Sequence, residues 1–172
     1  GVLNPLQPSG QGDVNDAFSV AIARAVNEWQ VEHWLRHETR LRGSIVVAYE
    51  DGPASAAEIR HWAGDPRFCQ VLLMSRTSEP LGRQRYWPIY EAAAEAGLPV
   101  GIHAFGYSGH AMTNGGWPSF YIEEVQEHAT SAQAQVASMV VEGVFECFPG
   151  LRVVMIECGF GWMPALGWRL DA

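Results

Sequence analysis

Two ionisable residues close continuously apolar runs: His103 ends LPVGIH (98–103) and Glu157 ends LRVVMIE (151–157). Histidine changes charge near neutral pH, so a lone histidine where an apolar strand gives way to a glycine-rich loop is a candidate for catalysis. The plainer alternative is a core histidine hydrogen-bonded within a sheet. A carboxylate after VVMI (153–156) is costly to bury without a metal, a partner charge or a proton. Arg76, which follows VLLM (71–74) and Ser75, could hold a substrate carboxylate in its planar fork of donors. An arginine on a loop is most often solvated, and Arg76 is also a candidate partner for Glu157 in an internal salt bridge.

The elements that must position these residues alternate in type. Phe18, Ile22, Ala25, Val26 and Trp29 recur at helical spacing behind a polar start at Asp13 to Asp16, predicting a first long helix that ends near Leu41. GSIVVAYE (43–50) reads as a strand. Ser55 with Glu58 has the spacing of a capping box, opening a helix that Gly64 and Pro66 stop. FCQVLLM (68–74) is the next strand, before a helix from about Tyr86 to Ala96 stopped by Gly97. LPVGIH then precedes a loop and a long helix, roughly Tyr121 to Phe148, ended by Pro149 and Gly150. The last strand leads to a helix beginning near Trp162. With a stub at Val2 there are five strands, continuously apolar and separated by helices, which indicates an α/β fold with a parallel sheet covered on both faces, one domain over residues 1–172. The carboxyl ends of such strands open onto the ligand crevice. The glycine-rich stretch from Phe105 to Ser119 follows His103 and is longer than an ordinary strand-to-helix link, which favours a substrate loop.

Composition narrows the chemistry. The 172 residues are 48% hydrophobic and 17% charged, with 19 acidic residues against 11 arginines, no lysine and a net charge of −8. That balance argues against nucleic acid and anionic membranes and leaves a small-molecule substrate as the simpler partner. Without lysine the chain cannot form a Schiff base or a carbamylated-lysine metal bridge. Cys69, Cys147 and Cys158 have no paired spacing, no leader-like start is present, and no run approaches the ~18 apolar residues of a membrane span, so a cytoplasmic protein is expected.

Three familiar patterns are incomplete. GYSGH (106–110) places His110 where a nucleophile elbow around Ser108 needs its second glycine, and GFGWMP (159–164) places Pro164 where a dinucleotide fingerprint needs its third. His33 and His37 lie one helical turn apart, but Trp34 stands where a zinc protease carries its glutamate, and two surface histidines are the better reading.

The segments RYWPIYEAAAEAGLPVGIH (85–103) and VVEGVFECFPGLRVVMIECGFGWMPALGWRLD (140–171) resemble the amidohydrolase-related group of metal-dependent hydrolases and decarboxylases, which includes aminocarboxymuconate-semialdehyde decarboxylase. The resemblance implies a partial TIM-like (β/α)8 barrel, strands two to six of a fold that usually takes about 250 residues or more. It puts His103 on the metal ligand of the fifth strand. The family's other ligands, two histidines on the first strand and an aspartate on the eighth, lie on elements not present here. Glu157 stands where decarboxylase relatives carry a histidine, and a carboxylate there can act as general base or as a hard oxygen ligand. The resemblance further implies a single divalent metal, zinc first and manganese or magnesium next, with His110, Trp117 and Tyr121 shaping the pocket. It leaves room for a homo-oligomer. The competing expectation is a non-catalytic barrel fragment or scaffold lacking a complete metal site.

Overall fold

Five parallel strands lie side by side in chain order: β1 (Val2–Leu3), β2 (Arg42–Val46), β3 (Phe68–Met74), β4 (Val100–His103) and β5 (Val153–Ile156). The computed structural model describes residues 1–6, 15–104 and 110–171. Helices α1 (Asp16–Gln30), α2 (Gly52–Trp62), α3 (Trp87–Glu95) and α4 (Tyr121–Val141) with the short α5 (Val144–Cys147) carry the chain back between successive strands, and α6 (Met163–Leu170) follows β5. Sequential parallel strands joined by helices form an arc of a barrel, here a half-barrel.

Local chemistry explains where the elements begin and end. Asn15 caps α1 by accepting from Phe18 N at 2.8 Å. A π-helical turn, Val31–Leu35, then ends the helical segment short of the expected Leu41. Leu41 is instead packed against the core where the chain enters β2, so its apolar character belongs to the strand's approach. The cap of α2 is Asp51, which accepts from Ala54 N at 3.0 Å, and not Ser55. Ser55 and Glu58 are both buried inside that helix, and Glu58 accepts from Arg24 Nε at 2.7 Å, Asn27 Nδ2 at 2.9 Å and Trp62 Nε1 at 2.6 Å. The expected single helix to Phe148 is broken by Gly143, whose φ of +79° is a left-handed conformation that glycine adopts without strain.

Register defines two faces. Ile45, Val71, Leu73, Val100 and Ile102 belong to one core with Ile59, Ile89 and Tyr90 of the helices. On the opposite face, Met74, His103 and Ile156 share one row and Leu72, Gly101 and Val154 the next. Here Ser44 Oγ donates to Asn4 Oδ1 at 2.7 Å, and Gln70 Nε2 donates to both Asn4 Oδ1 and Ser44 Oγ. Gly101 closes this row, since a Cβ there would stand 3.2 Å from the Gln70 amide and 2.8 Å from Ile156 Cδ1. Beyond the two-residue β1, α1 completes the edge of β2: the Asn27 amide pairs with both N–H and C=O of Val46, and Gln30 donates to Ser44 O. Strands β2 to β4 are covered on both faces as expected, whereas β5, at one of the two edges of the sheet, has Val154 44% exposed.

Candidate functional site

His103 is the last residue of β4, with a side chain only 3% exposed. Its Nε2 lies 3.7 Å from Oε1 of Glu157, which follows the last residue of β5. The structure thus brings together the two residues that the sequence places at adjacent strand ends. Among the described residues the side chain of Glu157 is 59% exposed, while that of His103 is buried. The backbone of Glu157 is unusual, with φ +60°, and no other described non-glycine residue has positive φ. Such a conformation is typically retained where it aims a functional group.

Neighbouring polar residues fix the end of β4. Ser75 N donates to His103 O at 2.9 Å and Ser75 Oγ donates to Ala104 O at 2.9 Å, tying β3 to β4. From α4, Gln135 Nε2 donates to Ser75 O at 2.7 Å while its Oε1 accepts from Leu81 N at 2.7 Å. Gln135 carries no signal in the sequence, because a glutamine inside a helix reads as solvated. Glu50 was missed too, although it ends GSIVVAYE just as Glu157 ends its own run. It is buried and accepts from Ser78 N at 2.8 Å, from Ser78 Oγ and from Tyr86 OH at 3.1 Å, with Arg85 at 3.3 Å. Burial pushes the Tyr86 hydroxyl up to about 12.

Arg76 is buried, 8% exposed, rather than solvated on its loop. Its Nε donates to His110 O at 2.8 Å and its guanidinium stacks 5.1 Å from the centre of the Trp117 ring. Arg76, His110 and Trp117 are therefore brought together over the end of β3, with His110 using its carbonyl in the contact with Arg76. Glu157 faces His103, and the salt bridge expected between Arg76 and Glu157 is not formed. Tyr121, at the start of α4, is 80% exposed and does not line the cavity beside Arg76. Ser108, Phe105 and the start of the loop lie outside the described residues. His33 and His37 are exposed, as expected of surface histidines.

An imidazole nitrogen beside a carboxylate oxygen is a donor pair suited to zinc or manganese, which accept mixed nitrogen and oxygen ligands. The pair fits as part of such a site. No group of three or more metal-ligating side chains occurs among the described residues. No helix among them is long and apolar enough to cross a membrane.

The amidohydrolase family model matches residues 5–172. The gamma-resorcylate decarboxylase of Rhodococcus jostii is 30% identical over 188 residues, covering 99% of this chain and 54% of its own length. An amidohydrolase of Mycobacterium avium subsp. paratuberculosis has a TM-score of 0.75 at 27% identity, over 91% of this chain and 42% of that one. The 5-carboxyvanillate decarboxylase of Novosphingobium aromaticivorans, solved with manganese, has a TM-score of 0.77 at 20% identity, over 99% of this chain and 49% of that one, a likeness of fold. The chain spans about half the length of the curated relative it matches.

Proposed function

The chain belongs to the amidohydrolase family, and from that membership we propose that it forms the central strands of a metal-dependent hydrolase or decarboxylase acting on a small organic molecule. The observation that best supports this is the buried His103 imidazole facing Glu157 across 3.7 Å at the carboxyl ends of adjacent strands. A divalent metal bound there would supply Lewis acidity for activating water or polarising a carboxylate or carbonyl.

In this reading His103 binds the metal through an imidazole nitrogen, and the Ser75 bond to its carbonyl keeps the ligand in place. Glu157 takes up a proton at a carboxylate oxygen, or adds an oxygen ligand. Arg76 binds an anionic substrate group, and His110 and Trp117 wall the approach. This chain has no lysine to form a carbamylated bridge between two metals, which favours a single ion. Zinc is the first ion to test. Manganese, present in the fold neighbour from Novosphingobium, is the second. Decarboxylation of a phenolic acid is the first reaction to assay, because the Rhodococcus relative is a decarboxylase of that kind.

Metal analysis of the full-length protein tests the proposal. A stoichiometric divalent ion that is lost in His103→Ala, with the fold retained, supports it. Equal activity without any bound ion would overturn it.

A further inference from the structure

Two cavities of about 200 Å³ each lie beside the end of β3, one against Trp117 and Pro118, the other against Thr77, Ser78, Asn114 and Gln135. Arg76 and Met112 line both, so these two residues form the wall between them. The first cavity is walled by apolar side chains, with Glu124 and Glu127 from α4, and the second by hydroxyls and amides. Each alone is smaller than the roughly 300–1,000 Å³ usual for a small-molecule site, and joined they fall within it.

The two parts of the wall are not equally fixed. Arg76 Nε donates to His110 O at 2.8 Å, its guanidinium stacks on Trp117, and its carbonyl accepts from Tyr49 OH at 3.4 Å. Met112 is buried but unbranched, and a thioether with three rotatable bonds changes shape at little cost. The chain beside it is anchored, since Thr113 Oγ1 donates to Glu127 Oε1 at 3.1 Å and accepts from Gly115 N. The adjustable element is therefore the Met112 side chain. Charge fixes where an anion sits: Glu124 disfavours the depth of the first cavity, whereas Glu79, at the second, is paired with Arg85 at 2.8 Å. That leaves the shared wall, at Arg76.

We propose that Met112 is a specificity-determining residue. It separates the cavities and so limits an organic acid held by Arg76 to one apolar body against Trp117, excluding acids with a polar branch toward the hydroxyl-lined side. This rests on the assignment of Arg76 to an anionic substrate group and adds the residue that limits the branching of that substrate.

Calorimetric titration of the full-length protein with 3-phenylpropanoate and N-acetylphenylalaninate tests it, because the second acid differs only by an acetamido branch beside the carboxylate. The ratio of the two affinities is the readout, and it is independent of whether an ion is bound. The wild type is expected to favour 3-phenylpropanoate about tenfold, Met112→Ala to abolish or reverse that preference, and Met112→Phe, which keeps the passage filled, to retain it. Circular dichroism checks that the variants are folded. Equal affinities in the wild type, a ratio unmoved in folded Met112→Ala, or equal affinities in folded Met112→Phe would each overturn this inference alone. Saturable binding of neither acid to the wild type would overturn it together with the role of Arg76.

Discussion

Glu157 presents its carboxylate to His103 from a left-handed backbone, at φ +60° and 3.7 Å between Oε1 and Nε2. A non-glycine residue pays roughly 1–2 kcal/mol for that conformation. The next residues hold it there: Cys158 is buried, with Sγ 3.2 Å from Ile156 O, and its carbonyl accepts from Trp162 Nε1 at 2.8 Å. Strain maintained by anchored neighbours is what a position kept for its side-chain direction looks like.

Glu157→Gly should therefore separate stability from function. Equilibrium unfolding is expected to show a gain of about 1 kcal/mol, because glycine adopts this backbone freely. Turnover should fall roughly 10²- to 10⁴-fold, the usual contribution of a general base. Glu157→Gln keeps the backbone and loses only the charge, so it should lose turnover without the gain in stability. A destabilised Glu157→Gly would contradict the strain assignment.

His103→Ala removes an imidazole from a buried position, and the expected effect on metal is larger than that on fold. Bound divalent ion should drop from about one per chain to a small fraction, as expected when one of very few protein ligands is removed. Elemental analysis reads this directly, and restoration of activity by zinc or manganese after chelation should occur in the wild type alone.

Much of this was legible in the sequence, for physical reasons. FCQVLLM predicted β3 at its observed bounds, since a continuous apolar run between breakers fits a strand buried on both faces. His103 was found because a histidine stands out at the end of such a run. Ser55 and Glu58 misled because their spacing matches a cap while the true cap, Asp51, lies one turn earlier, and only tertiary partners reveal Glu58 as a buried acceptor. The backbone of Glu157 has no signal in the sequence, because a left-handed φ at a non-glycine residue is set by tertiary contacts such as the anchoring of Cys158 by Trp162. Glu50 carried the same strand-end signal as Glu157. What separates them is Ser78, Tyr86 and Arg85, about thirty residues away in sequence, which give Glu50 a buried network.

Gln135 offers a test of positioning from a distance. Gln135→Leu leaves Leu81 N without its acceptor and removes one of the two donors to Ser75 O, so chemical denaturation should show a loss of about 2–4 kcal/mol. Because Ser75 N holds His103 O, turnover should also fall in the folded variant, while Gln135→Glu, which keeps the acceptor for Leu81 N, should be intermediate in stability.

Alkaline titration tests the network around Glu50. Burial, more than the nearby carboxylate, pushes the Tyr86 hydroxyl up to about 12, against about 10 in an unfolded chain. Below pH 10 the tyrosine is neutral in both states and its contribution to stability is intact. Between pH 10 and about 12 the unfolded chain ionises first, binds fewer protons than the folded one, and stability falls as pH rises. Tyr90, whose hydroxyl donates to Leu81 O at 2.6 Å, is raised by burial as well and acts in the same direction. Tyrosinate absorbance from these two residues should accordingly appear together with the loss of helical dichroism and not before it. Tyr86→Phe should flatten the alkaline loss while costing about 1–2 kcal/mol at neutral pH, because Glu50 then lacks one of its donors. Ionisation of Tyr86 near pH 10 with the fold intact would show that the hydroxyl is reached by water and that the Glu50 network is open.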